Sequence, residues 1–168
     1  MERKASSIMM LTLLLVSLVT IAINIQPIRS TPDIIIVPDH YSSIQQAINN
    51  ANEGDTIFVR NGSYGGNVRV NKSLTLIGEG PPPLTMWTWK FPKIYGWVTI
   101  AASNVTFRRF QVTLGVFPYT GITVRDVSNV EISQVVTNGD EGGAGIHLAN
   151  SSNNLIAYSW IYAMPMAP

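Results

Sequence analysis

Apolar and polar positions along this chain fall into short alternating runs, and between Gly96 and Tyr162 one run recurs three times. Each copy opens with an apolar strand pattern: Trp97-Val98-Thr99-Ile100, Gly121-Ile122-Thr123-Val124 and Gly145-Ile146-His147-Leu148. After a short polar turn each copy continues with Asn and an apolar residue: Asn104-Val105, Asn129-Val130 and Asn154-Leu155. The intervals from Asn104 to Asn129 and from Asn129 to Asn154 are both 25 residues. A fixed period between about 20 and 50 residues marks a stacked-repeat architecture. In such a stack Val105, Val130 and Leu155 form one inward column. Ile122, Val124 and Ile132 lie over Ile146, Leu148 and Ala157. Asn104, Asn129 and Asn154 share one turn, because Asn tolerates left-handed backbone and its amide can bond along the stack.

Upstream, Ile34-Ile35-Ile36-Val37 reads as a β-branched strand. Ile44, Ala47, Ile48 and Ala51 recur at the spacing of one helix face. Ser43 and Gln46 have the spacing of a capping box, and Asn52-Glu53-Gly54-Asp55 closes the helix with turn chemistry. The apolar face suits a helix covering the first coil of a solenoid, whose end would otherwise meet water. Strands are expected at Thr56–Val59, Val68–Val70 and Leu74–Ile77, followed by an outward loop at Gly78–Pro83, since proline cannot donate to a ladder. Residues Met86–Trp97 read as an insertion holding Trp87, Trp89 and Trp97, and Thr137–Gly145 as a polar loop. The chain stops soon after Trp160-Ile161-Tyr162 without a capping helix, which predicts further coils or a partner at that end.

Arg3 and Lys4 precede an apolar run from Ile8 to Ile25. This reads as a secretory signal, with a retained single-pass anchor as the alternative, and either one places the remainder outside the cytoplasm. Residues 1–30 are therefore assigned to a signal or anchor, 31–55 to a linker, first strand and capping helix, and 56–168 to the coils. Net charge is +1 for the 168 residues, but Glu2, Arg3, Lys4 and Arg29 belong to the first segment. The remainder carries eight basic and nine acidic residues, so no basic face offers nucleic acid a site. The chain has no Cys, which excludes disulfides and thiolate metal sites.

Ile44-Gln45-Gln46-Ala47-Ile48, Glu53-Gly54-Asp55-Thr56-Ile57, Gly62-Ser63-Tyr64, Lys72 to Gly78, and Gly145-Ile146-His147-Leu148 with Ser152-Asn153-Asn154 carry a family resemblance. Over residues 34–162 the chain resembles secreted right-handed parallel β-helix proteins of the pectin-lyase-like superfamily. It looks most like the broad group that includes the NosD copper-maturation protein and carbohydrate-binding or sugar-hydrolysing β-helices. The resemblance implies about four coils and a surface or secreted location. It does not by itself imply one activity, because this architecture carries lyases, hydrolases, adhesins and spacers.

Candidate chemistry is sparse. Asp140 and Glu141 are adjacent in a Gly-rich stretch preceding His147, and this cluster could hold a sugar or calcium, the one cofactor considered. Trp87, Trp89, Tyr95 and Trp97 could form a stacking platform for sugar rings, with Lys90 and Lys93 suited to an acidic one. Asp126 and Glu131 read as solvated residues in or beside a turn. His40 and His147 have no metal-ligand spacing with the six Met. Hydrolases need paired carboxylates, and the paired-aspartate and Gly-His-Gly motifs of polygalacturonase-type relatives are absent. The expected function is a secreted or cell-surface module that binds polysaccharide or serves a structural surface role. The alternatives are the N-terminal part of a polysaccharide lyase or glycoside hydrolase, and a NosD-like metal-maturation accessory.

Overall fold

The computed structural model describes Met9, Met10, Leu13 and residues 31–80, 90–113, 120–139 and 144–163, with the side chains of 138, 139, 162 and 163 excepted. The chain divides into two units, Met1–Thr31 and Pro32–Pro168, and the fold described here belongs to the second. The expected signal or anchor lies almost wholly outside the described residues. So do the proline loop at 81–83, Trp87, Trp89, Asp140, Glu141 and the tail from Met164. Among the described residues no helix is long and apolar enough to cross a membrane.

The second unit is all-β with one short helix among its described residues. In chain order the elements are β1 (Ile34–Val37), α1 (Ile44–Asn50), β2 (Thr56–Val59), β3 (Ser63–Gly65), β4 (Val68–Val70), β5 (Thr75–Gly78), β6 (Lys93–Tyr95), β7 (Val98–Ile100), β8 (Thr106–Arg108), β9 (Gln111–Thr113), β10 (Ile122–Arg125), β11 (Glu131–Ser133), β12 (Val136–Gly139), β13 (Ile146–Ala149), β14 (Leu155–Ala157) and β15 (Trp160–Ala163). They form three sheets, in order β1-β2-β5-β8-β11-β14, β3-β6-β9-β12-β15 and β4-β7-β10-β13. Every neighbouring pair is parallel. From β2 onward the chain visits the three sheets in turn, and each strand pairs with the strand three places on. This arrangement is consistent with a parallel β-helix.

Strand periodicity sends alternate side chains inward. Ile35, Ile57, Leu76, Phe107 and Ile132 occupy one register column of the first sheet and all are buried. Val68, Val98 and Ile122 do the same in the third sheet. Each such side chain contributes about 1.5–3 kcal/mol by leaving water. Phe107 and Phe110 stack with ring centroids 4.6 Å apart at the centre of this core.

α1 covers the first end, as its apolar face predicts. Ile44, Ala47 and Ile48 are buried in the core cluster. Ser43 is the N-cap and its Oγ accepts from the Gln46 N–H at 3.2 Å. The other half of the expected capping box is missing, because Gln46 Oε1 accepts from Ser42 Oγ instead. The Asp55 carboxylate, 2% exposed, accepts the backbone N–H groups of Asp33 at 2.9 Å and Asn52 at 2.7 Å. It thereby ties the residues before β1 to the turn after α1.

Three expectations need correcting. The segment Met86–Trp97 is not wholly an insertion, since Lys93–Tyr95 forms β6 in the second sheet. Val136–Gly139 is likewise strand β12, where a loop was expected. The third repeat is also displaced by one residue. Asn129 Nδ2 donates to Asn104 Oδ1 across 25 residues, but the Val130 N–H donates to Asn154 Oδ1 across only 24. The left-handed turn positions are Asn104, Asn129 and Asn153, with φ of 57°, 58° and 54°. Asn154 therefore sits in the Val105–Val130 column, and Leu155 pairs with outward Glu131 and is 56% exposed. Ile132 accordingly pairs with Ile156, not with Ala157. The cause is the connection from Thr137 to Ile146, one residue shorter than the one from Val112 to Ile122. The third-sheet columns, Ile122 over Ile146 and Val124 over Leu148, are as expected.

Candidate functional site

The outward rows of the first sheet change character along the stack. One row runs Ile36, Phe58, Ile77, Arg108, Ser133, Ala157, and the other runs Ile34, Thr56, Thr75, Thr106, Glu131, Leu155. Apolar residues and threonines at the start give way to charged and hydrogen-bonding groups at β8 and β11. The turn leaving this sheet then takes the left-handed conformation three times, at Arg109, Gln134 and Tyr158, with φ of 64°, 55° and 51°. Such backbone disfavours ordinary residues and persists only where the surroundings fix it. Here the fixing bonds run along the stack: Arg109 N–H to Ser133 O and Gln134 N–H to Ala157 O, each 3.1 Å. Arg109 Nε also donates to Gln134 Oε1 at 3.0 Å.

Gly78 supports the same turn from below. A Cβ at Gly78 would collide with the backbone carbonyl of Arg109, so only glycine lets β5 pass there.

These rows and turns enclose an open groove of about 340 Å3, lined by Arg108, Arg109, Glu131, Ser133, Gln134, Leu155, Ala157 and Tyr158. The Arg108 Nε–H is buried without a hydrogen-bond partner among the described residues. Glu131 Oε1 accepts from the Ser133 hydroxyl at 2.8 Å, which fixes the carboxylate over the strand. Neither arginine has a carboxylate within ion-pair distance among the described residues; the ion pair there is Arg60–Asp39, at 2.8 Å. Tyr158 is 82% exposed and presents its ring at the groove edge. The groove thus offers guanidinium donors, an amide, a positioned carboxylate and an aromatic surface. That combination suits a hydroxyl-rich ligand with flat ring faces.

The residues singled out from the sequence lie elsewhere. Tyr95 and Trp97 flank Gly96 at the corner between β6 and β7, both exposed, and Gly96 has φ 145°. Their expected companions Trp87 and Trp89 lie outside the described residues. His147 is exposed on β13 and pairs in register with Thr123, as an outward position requires. Its expected neighbours Asp140 and Glu141 are not described. Lys90 and Lys93 line a second depression of about 330 Å3 with Asn61, Gly62, Ser63 and Phe91. His40 plays a structural part, since its Nδ1 accepts the Ile36 N–H at 3.1 Å. Among the described residues no three His, Asp or Glu side chains cluster as a metal site.

Sequence reasoning missed Arg108, Arg109, Gln134 and Tyr158. A signal was present. Arg109, Gln134 and Tyr158 each follow a strand of the first sheet by one residue, so alignment of the repeats on β8, β11 and β14 puts them in one column.

Comparison of the chain with protein-family models, curated proteins and solved structures finds no match.

Proposed function

We propose that this protein is a secreted or cell-surface β-helix module, right-handed with about four coils, that binds polysaccharide along the outer face of its first sheet. The right hand follows from the strong preference of parallel crossovers for that sense. The apolar segment after Arg3 and Lys4 supports export. The observation that carries the binding role is the groove between Arg108 and Tyr158, where groups from three successive strands face one trough. A chain-like ligand lying along the stack would meet successive turns at about 4.8 Å intervals.

The test is binding of the purified chain to a panel of plant, bacterial and archaeal glycans, followed by the double variant Arg109→Ala/Tyr158→Ala. Saturable binding to one glycan class, weakened at least about tenfold (about 1.4 kcal/mol) in the variant, is expected. Unchanged affinity in a folded variant overturns the groove assignment, and bond cleavage by the purified chain overturns the non-catalytic role.

A further inference from the structure

We infer that the end of the stack formed by β13, β14 and β15 is a docking surface for a second copy of this chain, joined tail to tail about a twofold axis. The inference stands on the contrast between the two ends of the sheets. At the first end the edges are blocked. Gln45 on α1 treats Arg69 of β4 as a neighbouring strand would: its Oε1 accepts the Arg69 N–H at 2.7 Å and its Nε2 donates to Arg69 O at 3.3 Å. His40 does the same for the Ile36 N–H of β1.

At the other end β13, β14 and β15 are the last strands of their sheets, and among the described residues nothing pairs with their outer edges. The apolar columns run on into the open: Leu148, Ile156 and Ile161 are exposed, while Val124, Ile132 and Thr137, their register partners, are buried. Proteins that keep such edges unpaired guard them with lysines, inward charges or proline. From Gly142 to Pro168 this sequence has no Asp, Glu, Lys or Arg, and no proline occurs within β13, β14 or β15. The edge lacks the usual guards, and its freedom from charge lets it face an identical surface without like-charge repulsion.

The blocked first end decides the symmetry. Head-to-tail stacking would press open strands onto α1, so it cannot propagate a filament. A twofold axis perpendicular to the stack brings open end to open end and closes the assembly at two copies. Under that axis one edge strand meets its own copy antiparallel and the other two exchange partners, so all three edges gain ladders.

The experiment is light scattering on the purified chain with two comparison variants. His147→Lys/Trp160→Lys places two outward charges on β13 and β15, clear of the groove. Thr99→Lys places one on the same outward column as His147 but on β7, inside the stack. The expected result is twice the single-chain mass of 18.4 kDa for the parent and for Thr99→Lys, falling to the single-chain mass for the double variant. A parent that stays single at the highest soluble concentration overturns the inference. So does a doubled mass that survives in the double variant, because the contact then lies on another surface. Glycan binding plays no part in these readouts, so they are independent of the groove.

Discussion

Gln45 and Arg69 are bonded as two strand residues would be, although Gln45 belongs to a helix. The residue at one edge of the third sheet has both its N–H and its C=O taken by a side-chain amide. The helix therefore covers the core and also ends a ladder, two roles that a purely apolar cap could not combine.

Replacement of Gln45 by Leu keeps volume and removes both bonds. Water can reach this edge, so the loss is that of net hydrogen bonds, about 1 kcal/mol in all. Urea denaturation should show this, together with faster hydrogen exchange at the Arg69 amide. Gln45→Glu keeps the acceptor and loses the donor, and should fall between the two.

The register of the third repeat makes a sharper prediction. On a strict 25-residue period Leu155 would be core; in the structure it faces outward opposite Glu131, and Ile132 is 1% exposed. Leu155→Ala should change stability by no more than about 0.5 kcal/mol, the range for surface sites. Ile132→Ala should cost about 2–5 kcal/mol, because it opens a cavity in a close-packed column. Equal effects of the two substitutions in equilibrium unfolding would refute the observed register.

The same register shows how far the fold was legible. Period-2 alternation placed the third-sheet strands and their columns, since strand side chains repeat strictly and burial enforces the choice. The α1 face and its Ser43 cap were readable for the corresponding reason at helical spacing. The Asn153-Asn154 doublet was not readable from local pattern. Either Asn could take the left-handed turn, and only the length of the preceding connection selects Asn153. β6 and β12 were hidden because Lys93–Tyr95 and Val136–Gly139 are short and each offers one inward side chain with described burial, Ile94 and Thr137. A single apolar or Thr position is not a period.

The groove was less legible than the fold. Arg108 and Arg109 are adjacent and look like a solvated pair. What gives them a role is the stacking of turns 24 and 25 residues away, a long-range relationship that no local motif records. The aromatic and basic residues that did stand out, such as Tyr95 and His147, project from strands in other sheets.

Acid should weaken the first turn region. Arg60 donates from Nε to Asp39 Oδ1 at 3.0 Å and from Nη2 to Oδ2 at 2.8 Å, which holds the Asp39 carboxyl below its ordinary value of 3.8. A carboxyl depressed in the folded state stabilises fully above 3.8, and the contribution fades as pH falls through the lower folded value. At the alkaline side, burial chiefly, and then the charge of Glu79, raise Tyr64 above 10.0. That contribution is present below 10.0 and is lost as pH rises through the folded value. Thermal unfolding of the parent and of Asp39→Asn should diverge between about pH 7 and pH 5 and converge below about pH 3. Tyr64→Phe should flatten the alkaline limb while leaving the acid limb alone. Parallel curves across the whole range would remove both assignments.

Gly78 ties stability to the groove. It ends β5 at an inward register position paired with Val59, where the Arg109 carbonyl of the next turn passes close above it. An added methyl would meet backbone, and backbone held at left-handed φ by bonds to Ser133 has no easy direction in which to give. Overpacking of this kind costs about 1–3 kcal/mol, and the immobile partner puts Gly78→Ala toward the upper figure. The displaced group is the turn that carries Arg109, so glycan affinity should fall together with stability. Gly62→Ala is the comparison: its Cβ would touch the Tyr64 ring, a side chain able to shift. Denaturation midpoints and affinities measured on both variants separate the two cases, and a Gly78→Ala protein as stable as Gly62→Ala would show that the Arg109 turn is free to move.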